Sequence, residues 1–193
     1  MIPKILHHIW ISDKECPEKF KQYTDTWSKI MPDYKIEYTT LNNIHSNSEV
    51  LNKLIKEKKY TLVNHYMRYW VLYHIGGIYL DLDIEVVKSF DDLLDMDFII
   101  GREDNKCINN AVMGCEKGND IALFCANKLH NFDYNQDQIE LKTGPWLTTE
   151  VFKYADVLPL EYFYPYHYSE KFYPECIKPE THTVHHWNAS WQK

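Results

Sequence analysis

Hydrophobic and polar positions recur along the chain with two periods, and the period switches repeatedly. Residues 4–11 read as a short buried strand, and residues 34–40 alternate as a second one. Between them, Phe20, Tyr23, Trp27 and Ile30 recur at helical spacing, predicting a helix over 17–31. Pro17 suits its first turn and Pro32 its stop. A helix is predicted over 48–58, with a lysine edge at Lys53, Lys56, Lys58 and Lys59. That edge reads as a solvated face or as a weak attraction to anionic lipid. Leu62, Tyr66, Tyr69 or Trp70, and Tyr73 predict a stronger helix over 61–75. Gly76-Gly77 ends it, because glycine takes the left-handed conformation found past helix C-termini. Further strands are expected at 78–83, 97–101, 110–115 and 184–187, and helices at 120–129 and 146–154. Residues 157–174 are Pro- and Tyr-rich and read as irregular. Strands alternating with helices indicate an α/β domain with a mostly parallel sheet, spanning 1–193 as one domain.

Composition narrows the function classes. The 21 Lys+Arg against 28 Asp+Glu leave a formal charge of −7, which makes the chain a poor candidate for non-specific nucleic-acid binding, and no nucleic-acid partner is expected. The 15 Tyr, 8 Phe and 6 Trp are in excess, as suits either a Tyr-rich core or a surface that stacks on bases and sugars. The 5 cysteines form no Cys-x-x-Cys pair and read as reduced, structural thiols. No signal peptide is visible, and the longest uncharged stretch, 69–80, is too short to span a bilayer. The expected location is cytoplasmic, at most peripheral to the inner face of the membrane.

The chemistry concentrates in Gly76-Gly77-Ile78-Tyr79-Leu80-Asp81-Leu82-Asp83. On a strand, Ile78, Leu80, Leu82 and Ile84 would face a core, while Tyr79, Asp81 and Asp83 would share the other face. Ligands of open α/β sheets bind beyond the carboxyl ends of strands. Two carboxylates there, about 7 Å apart at Cα, call for a cation between them. A hard divalent ion such as Mn²⁺ or Mg²⁺ meets that need and often keeps phosphates in its shell. The implied site binds a metal and a diphosphate. Arg68, on an otherwise apolar helix, wants an anionic partner, and Asp81 itself is one candidate.

These residues resemble the Asp-x-Asp sugar transferases of glycosyltransferase family 32. The central block is Arg68, the Leu72-Tyr73 step, Gly76 to Asp83, and Glu85. Ile2-Pro3-Lys4-Ile5-Leu6-His7-His8-Ile9-Trp10 resembles the family's opening strand. Thr143-Gly144-Pro145 with Leu147-Thr148 resembles its Gly-Pro motif, and His185-His186-Trp187-Asn188-Ala189-Ser190-Trp191 its closing motif. The resemblance implies a GT-A fold and a retaining transfer that uses a divalent metal, Mn²⁺ or Mg²⁺. It implies a nucleotide-sugar donor, UDP-linked in preference to GDP-mannose, and a glycan or polysaccharide acceptor. By resemblance, Trp10 stacks on the base, Arg68 reaches the donor sugar or its phosphate, and Asp81 bridges ribose or sugar hydroxyls. Asp83 and His185 ligate the metal with Asp81 beside them, Ser190-Trp191 touch the diphosphate, and His8, His65, Asn110 and Gly144 belong to the donor site. Relatives usually carry Asp where this chain has His65; a neutral imidazole accepts only one hydrogen bond.

Other readings stand beside these. Trp10 would equally pack on the first helix, and a structural histidine is the lesser alternative for His185. Asn109-Asn110 would contact a sugar or end a turn. Tyr162, Tyr164, Tyr166, Tyr168 and Tyr173 form an acceptor platform or a lid on the core. Rival functions are a glycosidase, whose carboxylates flank the scissile bond, and a catalytically inactive sugar- or nucleotide-binding module.

Overall fold

The structure, a computed structural model, describes residues 1–44 and 48–188. Its centre is a five-stranded sheet. Strand β1 (Ile5–Trp10) pairs in parallel with β2 (Lys35–Thr40) on one side and β3 (Gly77–Leu80) on the other. β3 pairs antiparallel with a strand at Ile108–Cys115, which pairs antiparallel with one at Phe98–Arg102. With β4 at Ile84–Val86, these are β6 and β5, and the sheet order is β2-β1-β3-β6-β5. Four of these five strands run the same way and β6 opposes them, so the sheet is mixed but mostly parallel.

Alternation along the strands feeds two apolar layers. Tyr79 and Met113 face one, with Tyr69 and Leu72 of helix α3 (Tyr60–His74) and Cys125 of α4 (Asp120–His130). Leu6, Ile78 and Val112 face the other, with Trp27, Phe90 and Phe163. The helix expected over 17–31 divides into a short 3₁₀ turn, Glu18–Phe20, and α1 (Lys21–Ile30). Phe20 and Trp27 are buried, but Ile30 is 36% exposed, so the apolar stripe is shorter than its periodicity implies. Helix α2 (Glu49–Lys56) is capped by the Ser48 side chain. Lys58 of the lysine edge pairs with Asp13 and Lys59 with Glu57.

The largest departure falls on the carboxylate segment. The strand expected to run from 78 to 83 stops at Leu80, where the last pair with β6 is Leu80–Val112. Ile84 N–H then donates to the Asp81 carbonyl, closing a turn over Asp81, Leu82 and Asp83. The chain leaves the sheet there, and β4 pairs antiparallel with β7 (Thr183–His185). Helix α5 (Ile139–Thr143) and α6 (Pro145–Phe152) follow α4. Within 157–174 the structure adds a short helix, α7 (Leu160–Phe163). No described helix is long and apolar enough to cross a membrane.

Candidate functional site

A cavity of about 670 Å³ opens at the sheet edge where β1, β3 and β5 end and β6 begins. Arg68 reaches into it from α3 and is only 5% exposed. Its Nη2 lies 3.3 Å from Asp81 Oδ1, its Nη1 donates to the Asn110 carbonyl at 2.7 Å, and its guanidinium lies 4.7 Å over the Tyr79 ring. Asp81 is thus the anionic partner Arg68 requires, and the Tyr79 hydroxyl donates to the same carboxylate. Both contacts hold Asp81 in one orientation although the strand has ended.

Asp83 sits beyond the turn and faces β7. His185 Nε2 lies 3.2 Å from Asp83 Oδ1, and Asn188 N–H donates to Oδ2 at 2.7 Å. Burial favours a protonated Asp83, but the neighbouring His185 and the amide donors prevail and pull its pKa down to about 2. His185 is buried, which opposes its charging, yet the Asp83 carboxylate raises its pKa above the ordinary value. One ligand atom each from Asp81, Asp83 and His185 lie within 4.8 Å of one another. Hard carboxylate oxygens and one imidazole nitrogen, with Asp83 held ionised, fit a divalent cation. His186 turns away: its Nε2 lies 2.8 Å from Glu85 Oε2 and its ring stacks on Tyr23 at 4.4 Å. The adjacent histidines therefore face opposite ways, as strand geometry requires.

His65 lines the cavity one helical turn before Arg68. Its Nδ1 is 2.9 Å from the Thr143 hydroxyl. Burial, and secondarily the Arg68 charge, hold its pKa well below the ordinary value, so the ring is neutral. Gly144 lies behind His65 and does not line the cavity; a Cβ there would stand 2.7 Å from the Glu140 carbonyl and 3.0 Å from His65 Cε1. Asn110 lines the cavity and, with Asn109, belongs to β6. Neither asparagine ends a turn. Trp10 lines the cavity while its Nε1 donates to the Lys14 carbonyl at 2.8 Å. His8 does not line it. Its ring packs against Trp27 and Tyr38 at centroid distances of 6.0 and 4.9 Å, on the opposite side of β1 from Ile9. Ser190 and Trp191 lie outside the described residues.

Of the five tyrosines, Tyr164 and Tyr166 are buried. The Tyr164 hydroxyl accepts the Val112 N–H at 3.1 Å, a core contact that neither a lid nor a platform needs. Tyr168, 63% exposed, lines the cavity. The cavity also contains residues that the sequence reading passed over: Asn64, Glu103, Asp104, Cys107, Trp146 and Trp187 as a site residue. Asn64 was legible, because it is four residues before Arg68 and shares its face. The Asn64 Oδ1, Arg68 Nε and His185 Nδ1 atoms are buried without a hydrogen-bond partner among the described residues. Polar atoms left so in a cavity await a ligand or water.

Residues 17–109 match the family model described as the glycosyltransferase sugar-binding region containing a DXD motif. The chain is 29% identical over 160 residues to inositol phosphoceramide mannosyltransferase 3 of Schizosaccharomyces pombe, covering 75% of this chain and 43% of that protein. It is 32% identical over 147 residues to lactosylceramide 4-alpha-galactosyltransferase of Mus musculus, covering 63% and 39%. The chain thus spans less than half the length of these curated relatives. Among solved structures it superposes on the PaToxG glycosyltransferase with a TM-score of 0.66 at 21% identity, covering 78% of this chain and 69% of that one. It also superposes on a glycosyltransferase involved in glycosylation of the PBCV-1 major capsid, with a TM-score of 0.55 at 14% identity and coverages of 95% and 93%. These structures share its GT-A fold. In matched region and relatives the chain is similar to glycosyltransferases with a DXD-containing sugar-binding region, and it shares the GT-A fold of solved glycosyltransferases.

Proposed function

We propose that the chain, as one GT-A-like domain, transfers a hexose from a nucleotide-sugar donor to a hydroxyl of a glycan or polysaccharide, with retention and with a divalent cation. The observation that carries this is the convergence of Asp81, Asp83 and His185 beside the buried Arg68 in one cavity. Asp81, Asp83 and His185 would hold Mn²⁺ or Mg²⁺. When bound there, the cation supplies Lewis-acid stabilisation of charge on a diphosphate. Arg68 adds a positive charge fixed in place by its burial and by Asp81, where it acts on developing charge at little reorganisation cost. Trp10 at the end of β1 offers a ring to the base, and His65 and Asn110 offer polar atoms to the sugar. UDP is preferred over GDP as the nucleotide.

In the transfer, the acceptor oxygen bonds to the anomeric carbon as the bond from that carbon to the diphosphate breaks. The acceptor proton passes to the departing phosphate oxygen. Attack from the face of departure preserves configuration and needs no nucleophile from the protein. The five free thiols support a reducing, cytoplasmic setting, and the lysines of α2 support at most a peripheral membrane contact.

The test is release of UDP from UDP-hexoses with and without Mn²⁺, in the native protein and Asp83→Asn. Asparagine keeps the shape and removes the charge. Loss of several kcal/mol of transition-state stabilisation corresponds to a rate loss of about a thousandfold, and a melting curve separates this from the stability lost with the Asp83–His185 pair. Metal-independent sugar release would favour a glycosidase. Nucleotide binding without turnover would leave an inactive binding module.

A further inference from the structure

The strands deliver their ends to the cavity in a fixed order. Trp10 ends β1, Asp81 follows β3, Asn110 lies near the start of β6, and Glu103 follows β5. These strands are neighbours in that order, so the four residues are spaced across the edge at about 4.8 Å per strand. A donor laid with its base on Trp10 and its diphosphate near Asp81 brings its sugar towards β6, facing the end of β5.

Glu103 stands at that end with an incomplete set of partners. Its backbone N–H donates to the Cys107 carbonyl at 2.9 Å. Asp104 Oδ1 accepts the N–H groups of Lys106 and Cys107 at 2.6 and 2.7 Å, which locks the turn. Asn109 Nδ2 donates to Glu103 Oε2 at 2.6 Å and leaves Oε1 without a hydrogen bond among the described residues. Asp81 has Arg68 and Asp83 has His185, but Glu103 has no cationic partner among the described residues. Helix α6 is held against the same turn: Thr149 Oγ1 accepts the Ile108 N–H at 2.9 Å and lies 3.7 Å from Cys107 Sγ. Trp146, three residues before Thr149 on α6, shares its side of the helix. It lines the cavity and remains 44% exposed.

We propose that Glu103 and Trp146 form the acceptor subsite, with Trp146 against the apolar face of a pyranoside and Glu103 accepting the hydrogen bond of one of its hydroxyls. A carboxylate gives the stronger, charge-assisted bond to a hydroxyl, and an exposed indole offers a large flat apolar area. The assignment rests on the transferase reading for the direction in which the donor lies. Glu103 binds and orients; it forms no covalent bond.

The test separates the two sugars. Binding of methyl β-galactoside and methyl α-mannoside is measured by saturation-transfer NMR, with UDP and Mn²⁺ present and absent. UDP–Mn²⁺ affinity and hydrolysis of UDP-hexose in water are measured in parallel, in the native protein, Glu103→Gln and Trp146→Ala. Glutamine keeps an acceptor for Asn109. The expected result is a pyranoside signal lost in Trp146→Ala and weakened by about tenfold in Glu103→Gln, with nucleotide affinity, donor hydrolysis and melting temperature unchanged. Either no pyranoside binding by the native protein, or equal binding by all three proteins, overturns the assignment. So does loss of UDP–Mn²⁺ binding or donor hydrolysis in Glu103→Gln, which would put Glu103 on the donor side. Pyranoside binding that depends on both residues, in a protein that neither binds UDP–Mn²⁺ nor consumes donor, keeps the subsite and removes the transferase reading.

Discussion

By the family resemblance His65 stands where an Asp is expected, and its surroundings explain how an imidazole is accommodated. The ring is buried beside Arg68, contacts the Thr143 hydroxyl, and packs closely against Gly144, where a Cβ would stand 3.0 Å from its Cε1. Charging it would place a second cation in the buried surroundings of Arg68, so it stays neutral and offers one donor and one acceptor. A carboxylate offers acceptors alone, and would draw on Arg68 for its counter-charge. His65→Asp is therefore expected to reorder the preference among UDP-glucose, UDP-galactose and GDP-mannose. The lost Thr143 contact should cost about 1 kcal/mol of stability. Initial rates with each donor, alongside a melting curve, check this. An unchanged donor ranking would make His65 a packing residue.

At the scale of elements, the decisive junction is the one between α3 and β3. It carries Arg68 on the helix and Asp81 just past the strand, and two glycines set its path. Gly76 and Gly77 have φ of +78° and +108°, and a Cβ on Gly77 would stand 2.5 Å from the Ile5 carbonyl oxygen. That close approach is the parallel pairing of β3 with β1. Gly77→Ala combines a left-handed side-chain residue with a backbone clash, and should cost about 3 kcal/mol or more. Urea unfolding reads that loss. A midpoint within experimental error of the native protein would mean that the junction relaxes freely. The second junction, from β3 to β4, explains why strand alternation misjudged the carboxylates. Asp81 and Asp83 meet through a turn, and β7 brings His185 to them from more than a hundred residues away in sequence.

For the whole molecule, the buried histidines set the response to acid. Burial holds His8 at a pKa of about 4, and His7, His65 and His182 are also lowered, in each case chiefly by burial. The unfolded chain takes up these protons near pH 6.5 and the folded chain only at lower pH. Stability is therefore present above pH 6.5 and is lost as pH falls below it, by up to about 1.4 kcal/mol per unit for each such group. Asp83, at about 2, and His185, raised above its ordinary value, titrate on either side of this window. Melting temperature should fall steadily from pH 6.5 to 4.5, and His8→Gln should flatten that slope. Identical slopes in the two proteins would show that His8 is not one of the groups responsible.

Local pattern carried most of the architecture. Helical spacing placed α3 and its Arg68 face, Gly76-Gly77 announced the left-handed stop, and the Asp-x-Asp pair pointed to a metal and a diphosphate, whereas the nucleotide sugar was implied only by the family resemblance of separated blocks. Those features depend on residues within about one or two turns of one another, where backbone geometry alone relates them. The path after Leu80, the removal of His8 to the far side of β1, and the wall of Glu103 and Trp146 were not readable in this way. Each depends on which strands become neighbours and where their pairing stops, and that follows from packing between segments far apart in the chain.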